Sequence, residues 1–225
     1  MTVSRGERSD ATSVAAAIRA AIVGGQFVPN QRLVEADLSE QFAASRATVR
    51  SALVELTNEG LVERVQNRGA RVRAVSLDEA IEISEVRMAV EGLCAAKAAE
   101  LVTADEVAEL QAIGKAMREA VAGYDLLGYS ELNQKLHRRV RELSGQQTAT
   151  NVLERLRGQN VRHQFKLAMH PGRPTISLPE HLAIIDGICA HDPVAAENAA
   201  RAHLRSVIAA LREVDAAGKA VHAVP

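Results

Sequence analysis

From Ser76 onward the sequence gives one helix-start signal after another and no strand signal between them, and this fixes the architecture of most of the chain. Ser76-Leu77-Asp78-Glu79 reads as a capping box, in which the serine oxygen accepts an N–H of the first turn and the glutamate reaches back to the cap. Thr103-Ala104-Asp105-Glu106 repeats the pattern after Val102. A third helix is expected from about Asp125 to Leu143, stopped by Ser144-Gly145, and a fourth from about Gln147 to Met169. His170-Pro171-Gly172-Arg173-Pro174 is a break; Ser177-Leu178-Pro179-Glu180 then reads as a further capping box, and Asp192-Pro193 opens the last helix. Six helices without a strand predict an all-α antiparallel bundle over residues 76–217, with fraying from Ala216 and a flexible tail at 218–225. Aromatic residues make up only 2% of the chain and Trp is absent, so the core must be aliphatic; with abundant Ala, Leu, Glu and Arg this favours helices and excludes an all-β fold.

The first third of the chain is organised differently. Residues 1–10 read as a disordered arm, and residues 11–75 as a separate small domain. A helix from Thr12 places Val14, Ile18, Ala21 and Ile22 on one face and ends at Gly24-Gly25. After the turn at Pro29-Asn30, a short helix from Val34 to Phe42 turns Leu38 and Phe42 inward, and Ala43-Ala44 leads into Ser45–Gly60. That third helix has Ser45 as N-cap, Gly60 just past its end, and a core face of Val49, Ala52, Leu53 and Leu56. Arg46 and Arg50, a turn apart, flank a stripe with Ala47 and Ser51 that the core does not claim, and small residues between arginines let a backbone approach a DNA groove. Two short helices joined by a tight turn make a helix-turn-helix. Leu61–Val65 and Ala70–Val75, separated by Gln66-Asn67-Arg68-Gly69, then predict a hairpin with one apolar and one basic face, the latter carrying Arg71 and Arg73. Alone, the helix is also compatible with a solvated amphipathic surface and the hairpin with an ordinary ribbon; in succession they read as a winged helix whose tip, Asn67-Arg68-Gly69, reaches the DNA backbone or minor groove.

Charge supports that division. Residues 1–75 hold ten arginines, no lysine and eight acids, net +2, while the remaining seventeen bases and twenty acids give net −3. The asymmetry is mild and has the sign expected of a phosphate-facing N-terminal part. MTVSRGERSD lacks the apolar core of a signal peptide, and no apolar run is long enough to span a bilayer, which predicts a cytoplasmic protein with no membrane partner. Cys94 and Cys189 lie in apolar helical patterns and read as free thiols.

The segment GGQFVPNQRLVEADLSEQFAASRATVRSALVELTNEGLVERVQNRGARV resembles the N-terminal winged helix of GntR transcriptional regulators, from its L-x-E-x-x-L and S-R-x-T-V-R-x-A-L runs through the wing glycine. The likeness covers about residues 12–75. It implies that Arg46, Thr48, Arg50 and Gly69 sit where family members touch operator DNA; Arg68 joins them as a DNA-binding candidate from the hairpin reading of the wing tip. Some members carry an arginine where this chain has Ala36, so that contact is expected to be missing.

In the bundle, His137, His181 and His203 fall within three different helices, and Asn133 precedes His137 by one turn on the same face. One helix supplying two ligands and two others supplying an imidazole each is a common way to build a metal site in a bundle, and three histidines with an open position suit Zn²⁺, with Ni²⁺ admissible. Helical histidines are also ordinary surface or hydrogen-bonded core residues, and the spacing alone leaves both readings open. His163, His170, His191 and His222 suggest no role. Residues 78–215 resemble the FCD effector domain of the FadR-type subfamily, whose metal-binding members carry D-x3-H and then one histidine on each of the last two helices. The resemblance implies a divalent metal on Asn133, His137, His181 and His203, with Asn in place of Asp. A neutral amide oxygen is the weaker donor, which puts metal occupancy in doubt and leaves the site one unit more positive toward an anion. The likeness further implies a small carboxylate effector, for which Arg87 and Arg162 are the basic candidates by position.

Two functions of different class follow. A dimeric, ligand-responsive DNA-binding regulator uses every feature above, since two-fold operators need two reading heads. A metal-dependent enzyme built on the three histidines needs a general base beside the metal, and the chain has no HExxH or comparable pairing. The first reading is preferred.

Overall fold

The computed structural model of the chain describes residues 10–65, 69–168, 170 and 172–222. They form two compact units that part between Val75 and Ser76, the short stretch Arg157–Arg162 grouping with the first.

The first unit begins with α1 (Ala11–Val23), capped by Asp10, whose side chain accepts the Ser13 N–H. Then come β1 (Arg32–Leu33), α2 (Glu35–Gln41), α3 (Arg46–Asn58), β2 (Val62–Val65) and β3 (Gly69–Val72). The cap expected at Ser45 is present: its Oγ accepts the Thr48 N–H at 3.1 Å, and Gly60 follows the helix with φ +75°. Ala43, at φ +48°, makes the tight turn between α2 and α3. Val49, Ala52, Leu53 and Leu56 of α3 are buried with Val14, Ala15, Ile18, Leu33, Leu38, Val62 and Val72. The hairpin pairs Glu63 with Arg71 and Arg64 with Ala70, and alternation along β3 buries Ala70 and Val72 while exposing Arg71. The sequence reading missed β1: Arg32 and Leu33 pair with Arg71 and Ala70, giving a three-stranded antiparallel sheet in the order β1-β3-β2. Two residues are too few to show an alternating pattern; pairing with β3 defines them. The wing tip Gln66-Asn67-Arg68 lies outside the described residues, as do residues 1–9 of the expected arm.

Among its described residues the second unit contains helices and their connections, with no strand: α4 (Leu77–Leu101), α5 (Ala104–Ala122), α6 (Leu126–Leu143), α7 (Gln147–Ala168), α8 (Arg173–Cys189) and α9 (Pro193–His222). Ser76 caps α4, Thr103 and Glu106 form the capping box of α5, Asp125 caps α6, and Asp192 accepts the Ala195 N–H at the start of α9. Two boundaries differ from expectation. The α8 helix starts four residues before Ser177, with Gly172 in the left-handed region at its N-cap and Pro174 in the first turn, so Pro179 lies inside the helix and Ser177 is no cap. The α9 helix continues to His222, past Ala216 and into the segment expected as a tail.

Helices α4, α8 and α9 pack together, with α5 against α8 and α6 against α4. Their shared core is aliphatic, as the composition requires: Leu110, Ile113, Met117, Leu136, Val140, Ile184, Ile185 and Ile188, with the alanines of α4 and α9 allowing close approach. Cys94 is buried within it and Cys189 packs at its margin, both free. Among the described residues no helix is long and apolar enough to cross a membrane.

Candidate metal centre and nucleic-acid interface

The three histidines of the sequence reading meet inside the bundle. His137 comes from α6, His181 from α8 and His203 from α9, and their ring nitrogens converge within 4.8 Å of one another. His137 Nε2 and His181 Nε2 are 3.3 Å apart, and the His181 and His203 ring centroids 4.4 Å. His181 is 1% exposed and His203 5%.

Each imidazole is held from behind through Nδ1. His137 Nδ1 lies 3.2 Å from Glu91 Oε2, His203 Nδ1 lies 2.9 Å from Glu180 Oε2, and His181 Nδ1 lies 2.9 Å from Tyr129 Oη. Behind these stand Arg87 on Glu91 at 2.7 Å, Arg173 on Glu180 at 3.2 Å, and Ser177 Oγ on Tyr129 Oη at 2.8 Å. Burial alone would raise both carboxyls, but for Glu91 the Arg87 and His137 partners, and for Glu180 His203, Ser206 and Arg173, outweigh it and hold them below the ordinary carboxylate range. An ionised carboxylate only accepts, so His137 and His203 each donate an Nδ1–H to their glutamate. Burial lowers His137 to about 4, and burial with the neighbouring His203 and His137 drives His181 well below its ordinary value, so both rings are neutral at pH 7 as metal ligation requires. Burial, countered by Ser177, pushes the Tyr129 phenol up to about 12, so it stays a hydroxyl.

Asn133 Oδ1 is buried and has no hydrogen-bond partner. An unsatisfied buried amide oxygen costs about 1–3 kcal/mol, and it sits one turn from His137 on α6. Three convergent imidazoles, carboxylate backing for two of them and an orphaned oxygen one turn away form a donor set that fits a divalent cation of imidazole preference.

The two basic candidates fare differently. Arg87 is 9% exposed and its guanidinium is committed to Glu91, which makes it a support of His137. The side chain of Arg162 lies outside the described residues. Sequence reasoning missed Arg141: it is 9% exposed, donates through Nη1 to the His137 carbonyl at 3.0 Å, and its buried Nε has no partner. Arg141, Glu91, Cys94 and His137 line one small cavity beside the cluster. Tyr129, Asn133, His137 and Arg141 follow at steps of four, a signal readable in the sequence but diluted there by the other polar residues of α6.

In the first unit, Arg46, Ala47, Arg50 and Ser51 form the exposed side of α3 opposite its core face. Thr48 Oγ1 lies 2.8 Å from Ser45 Oγ at the helix start. Gly69 opens β3 with φ +85°, a conformation that other residues rarely adopt. Arg71 pairs with Glu63 across the hairpin at 2.6 Å. Arg68, the other wing residue of the sequence reading, lies outside the described residues.

Known proteins share both units. The family model of bacterial regulatory proteins, gntR family, matches residues 10–72, and that of the FCD domain matches residues 82–206. The HTH-type transcriptional repressor RspR of Escherichia coli is 27% identical over 197 residues, covering 88% of this chain and 86% of that protein. The galactonate operon transcriptional repressor of Escherichia coli is 30% identical over 219 residues, covering 86% and 93%. In fold, the chain is similar to E. coli McbR/YncC, with a TM-score of 0.75 at 21% identity over 91% of this chain and 98% of that one. It is also similar to a putative transcriptional regulator GntR from Rhodococcus sp. RHA1, with a TM-score of 0.70 at 24% identity over 90% and 97%.

Proposed function

We propose, from the premise that this chain belongs to the gntR family of bacterial regulatory proteins and carries an FCD domain, that its bundle is a metal-dependent sensor of a small carboxylate. It is a DNA-binding transcriptional regulator and not an enzyme. In this reading Arg46, Thr48, Arg50, Arg68 and Gly69 contact operator DNA, and two copies of the chain present two heads to a two-fold operator in the cytoplasm.

His137, His181, His203 and Asn133 would hold the ion, zinc in the first instance and nickel in the second. When bound, the ion supplies a positive centre to which a carboxylate of an effector is drawn. The chain's own groups do the rest: Glu91, Glu180 and Tyr129 fix the imidazole orientations, and Arg141, which lines the adjoining cavity, adds a countercharge. Asn133 leaves the site one unit more positive than an aspartate would. An effector alters DNA affinity only by binding one state of the regulator better than the other, and the reading requires such a difference.

The observation that supports the metal assignment is the orphaned Asn133 Oδ1 one turn from His137, whose ring converges with those of His181 and His203. Elemental analysis of the purified full chain is expected to find stoichiometric zinc or nickel, falling to background in His203→Ala; equal content in both, or none in the unaltered protein, removes the metal. For the DNA contacts, Arg46→Ala is expected to weaken duplex binding and to reduce the salt slope by about one, with the bundle still folded.

A further inference from the structure

The α3 helix does not present Arg50 as a free cation. Its Nε donates to Glu35 Oε1 at 3.1 Å and its Nη2 donates to Glu35 Oε2 at 2.8 Å. Glu35 is the first residue of α2, where the positive end of the helix dipole favours a carboxylate. The two bonds take the side edge of the guanidinium, the one formed by Nε and Nη2. A guanidinium is planar with five N–H groups, so this leaves the terminal edge, Nη1 with the second N–H of Nη2, open and aimed by the carboxylate behind it. That edge presents two parallel N–H groups, a geometry suited to the bidentate arginine contact with guanine O6 and N7 in the major groove.

Glu35 also sits among several cations. Its carboxyl lies below the ordinary range chiefly through the Arg50 hydrogen bond, with Arg46 and Arg64 adding to the effect through their charge. As an exposed ion pair the contact is worth little for stability, since Arg50 keeps 60% and Glu35 33% of its side-chain surface. Its weight lies in geometry and charge. A carboxylate clamped to one edge removes the rotamer freedom with which Arg50 reaches phosphates, and it repels phosphate from that spot.

We propose that Glu35 is the positioning residue of Arg50: it fixes the terminal guanidinium edge toward one guanine and so converts a phosphate-binding arginine into a base-reading one. This rests on the reading above that α3 enters the DNA groove. Glu35 then contributes to specificity while opposing non-specific affinity, two effects that a purely structural residue does not produce together.

The test is selection by the full chain from a duplex library with a randomised core, followed by titration of the enriched duplex and of sheared genomic DNA. Unaltered protein is expected to enrich a motif with at least one strongly required G·C pair per half-site. Glu35→Ala should lose that requirement, with the ratio of specific to non-specific affinity falling about tenfold, the discrimination of one bidentate arginine–guanine contact, while affinity for genomic DNA holds or rises. Glu35→Gln, which keeps the length and one acceptor, should fall between. The proposal is overturned if Glu35→Ala enriches the same motif with the same G·C requirement, or if both variants lose affinity for every duplex equally. If the unaltered protein enriches nothing, the DNA-reading assignment of α3 fails as well, which separates the two claims.

Discussion

Glu180 Oε2 lies 2.9 Å from His203 Nδ1 and 3.2 Å from Arg173 Nη2, so one half-buried carboxylate orients a candidate metal ligand and is itself held by a buried guanidinium. Outer partners of this kind set the tautomer and basicity of an imidazole ligand. Glu180→Gln keeps the shape and an acceptor but removes the charge, and should weaken zinc binding about tenfold, at the lower end of outer-partner effects. Competition against a chromophoric chelator reads the change; an unaltered zinc affinity would separate Glu180 from the metal.

Asn133 supplies a second, opposite expectation. Its Oδ1 is buried with no partner, and an aspartate in its place would offer a charged oxygen to the same space. Asn133→Asp should therefore bind zinc more tightly than the unaltered protein and give a smaller rise in melting temperature with acetate, because the metal-bound site loses one positive charge. A variant that binds zinc no better would place Asn133 outside the ligand set.

How far the sequence reached depends on distance along the chain. Helix starts at Ser45, Ser76, Thr103 and Asp125 were readable because a cap is satisfied within three residues, and the α3 core face followed from its spacing. The start of α8 was misplaced because Ser177 has the composition of a cap, whereas its hydroxyl bonds to Tyr129 from another helix. The three histidines were found, and their convergence anticipated, by resemblance more than by spacing. Glu91, Glu180 and Tyr129 were not assigned to them, since these partnerships join α4, α8 and α6 to the rings and leave no short-range pattern. Strand β1 was missed for the same reason: its two residues are a strand only by pairing with β3.

The α5 capping box gives a pH-dependent expectation. Glu106 accepts the Thr103 N–H at 2.9 Å and is held below its ordinary pKa by that bond, then by the Thr103 hydroxyl and by Arg139. A carboxyl depressed in the folded state stabilises above its unfolded pKa, ordinarily about 4.3, and the contribution is lost as pH falls through the lower folded value. Glu106→Gln can still close the box but does not titrate. The melting temperature of the unaltered protein relative to this variant should thus be highest near neutrality and decline below about pH 4.3. A difference that is constant across that range would show that the Glu106 charge contributes nothing.

The helices that carry the candidate ligands His181 and His203 approach closely at a glycine remote from both. A Cβ at Gly187 of α8 would meet the Ala196 backbone of α9, 2.7 Å from its nitrogen and 2.8 Å from its Cα, closer than real contacts allow. Backbone cannot rotate aside as a flexible side chain can, so Gly187→Ala must force α8 and α9 apart, at about 1–3 kcal/mol. His181 rides on α8 and His203 on α9, and the variant should weaken zinc binding as well as lower the denaturation midpoint of the metal-free protein. Gly92 of α4 is the control: a Cβ there meets only the Arg201 and Glu197 side chains at 3.2 Å, which can shift, and alanine adds helix propensity of about 1 kcal/mol. Gly92→Ala should therefore be neutral or stabilising with zinc affinity unchanged. If the two substitutions behave alike, close approach of α8 and α9 at Gly187 is not what holds His181 and His203 together.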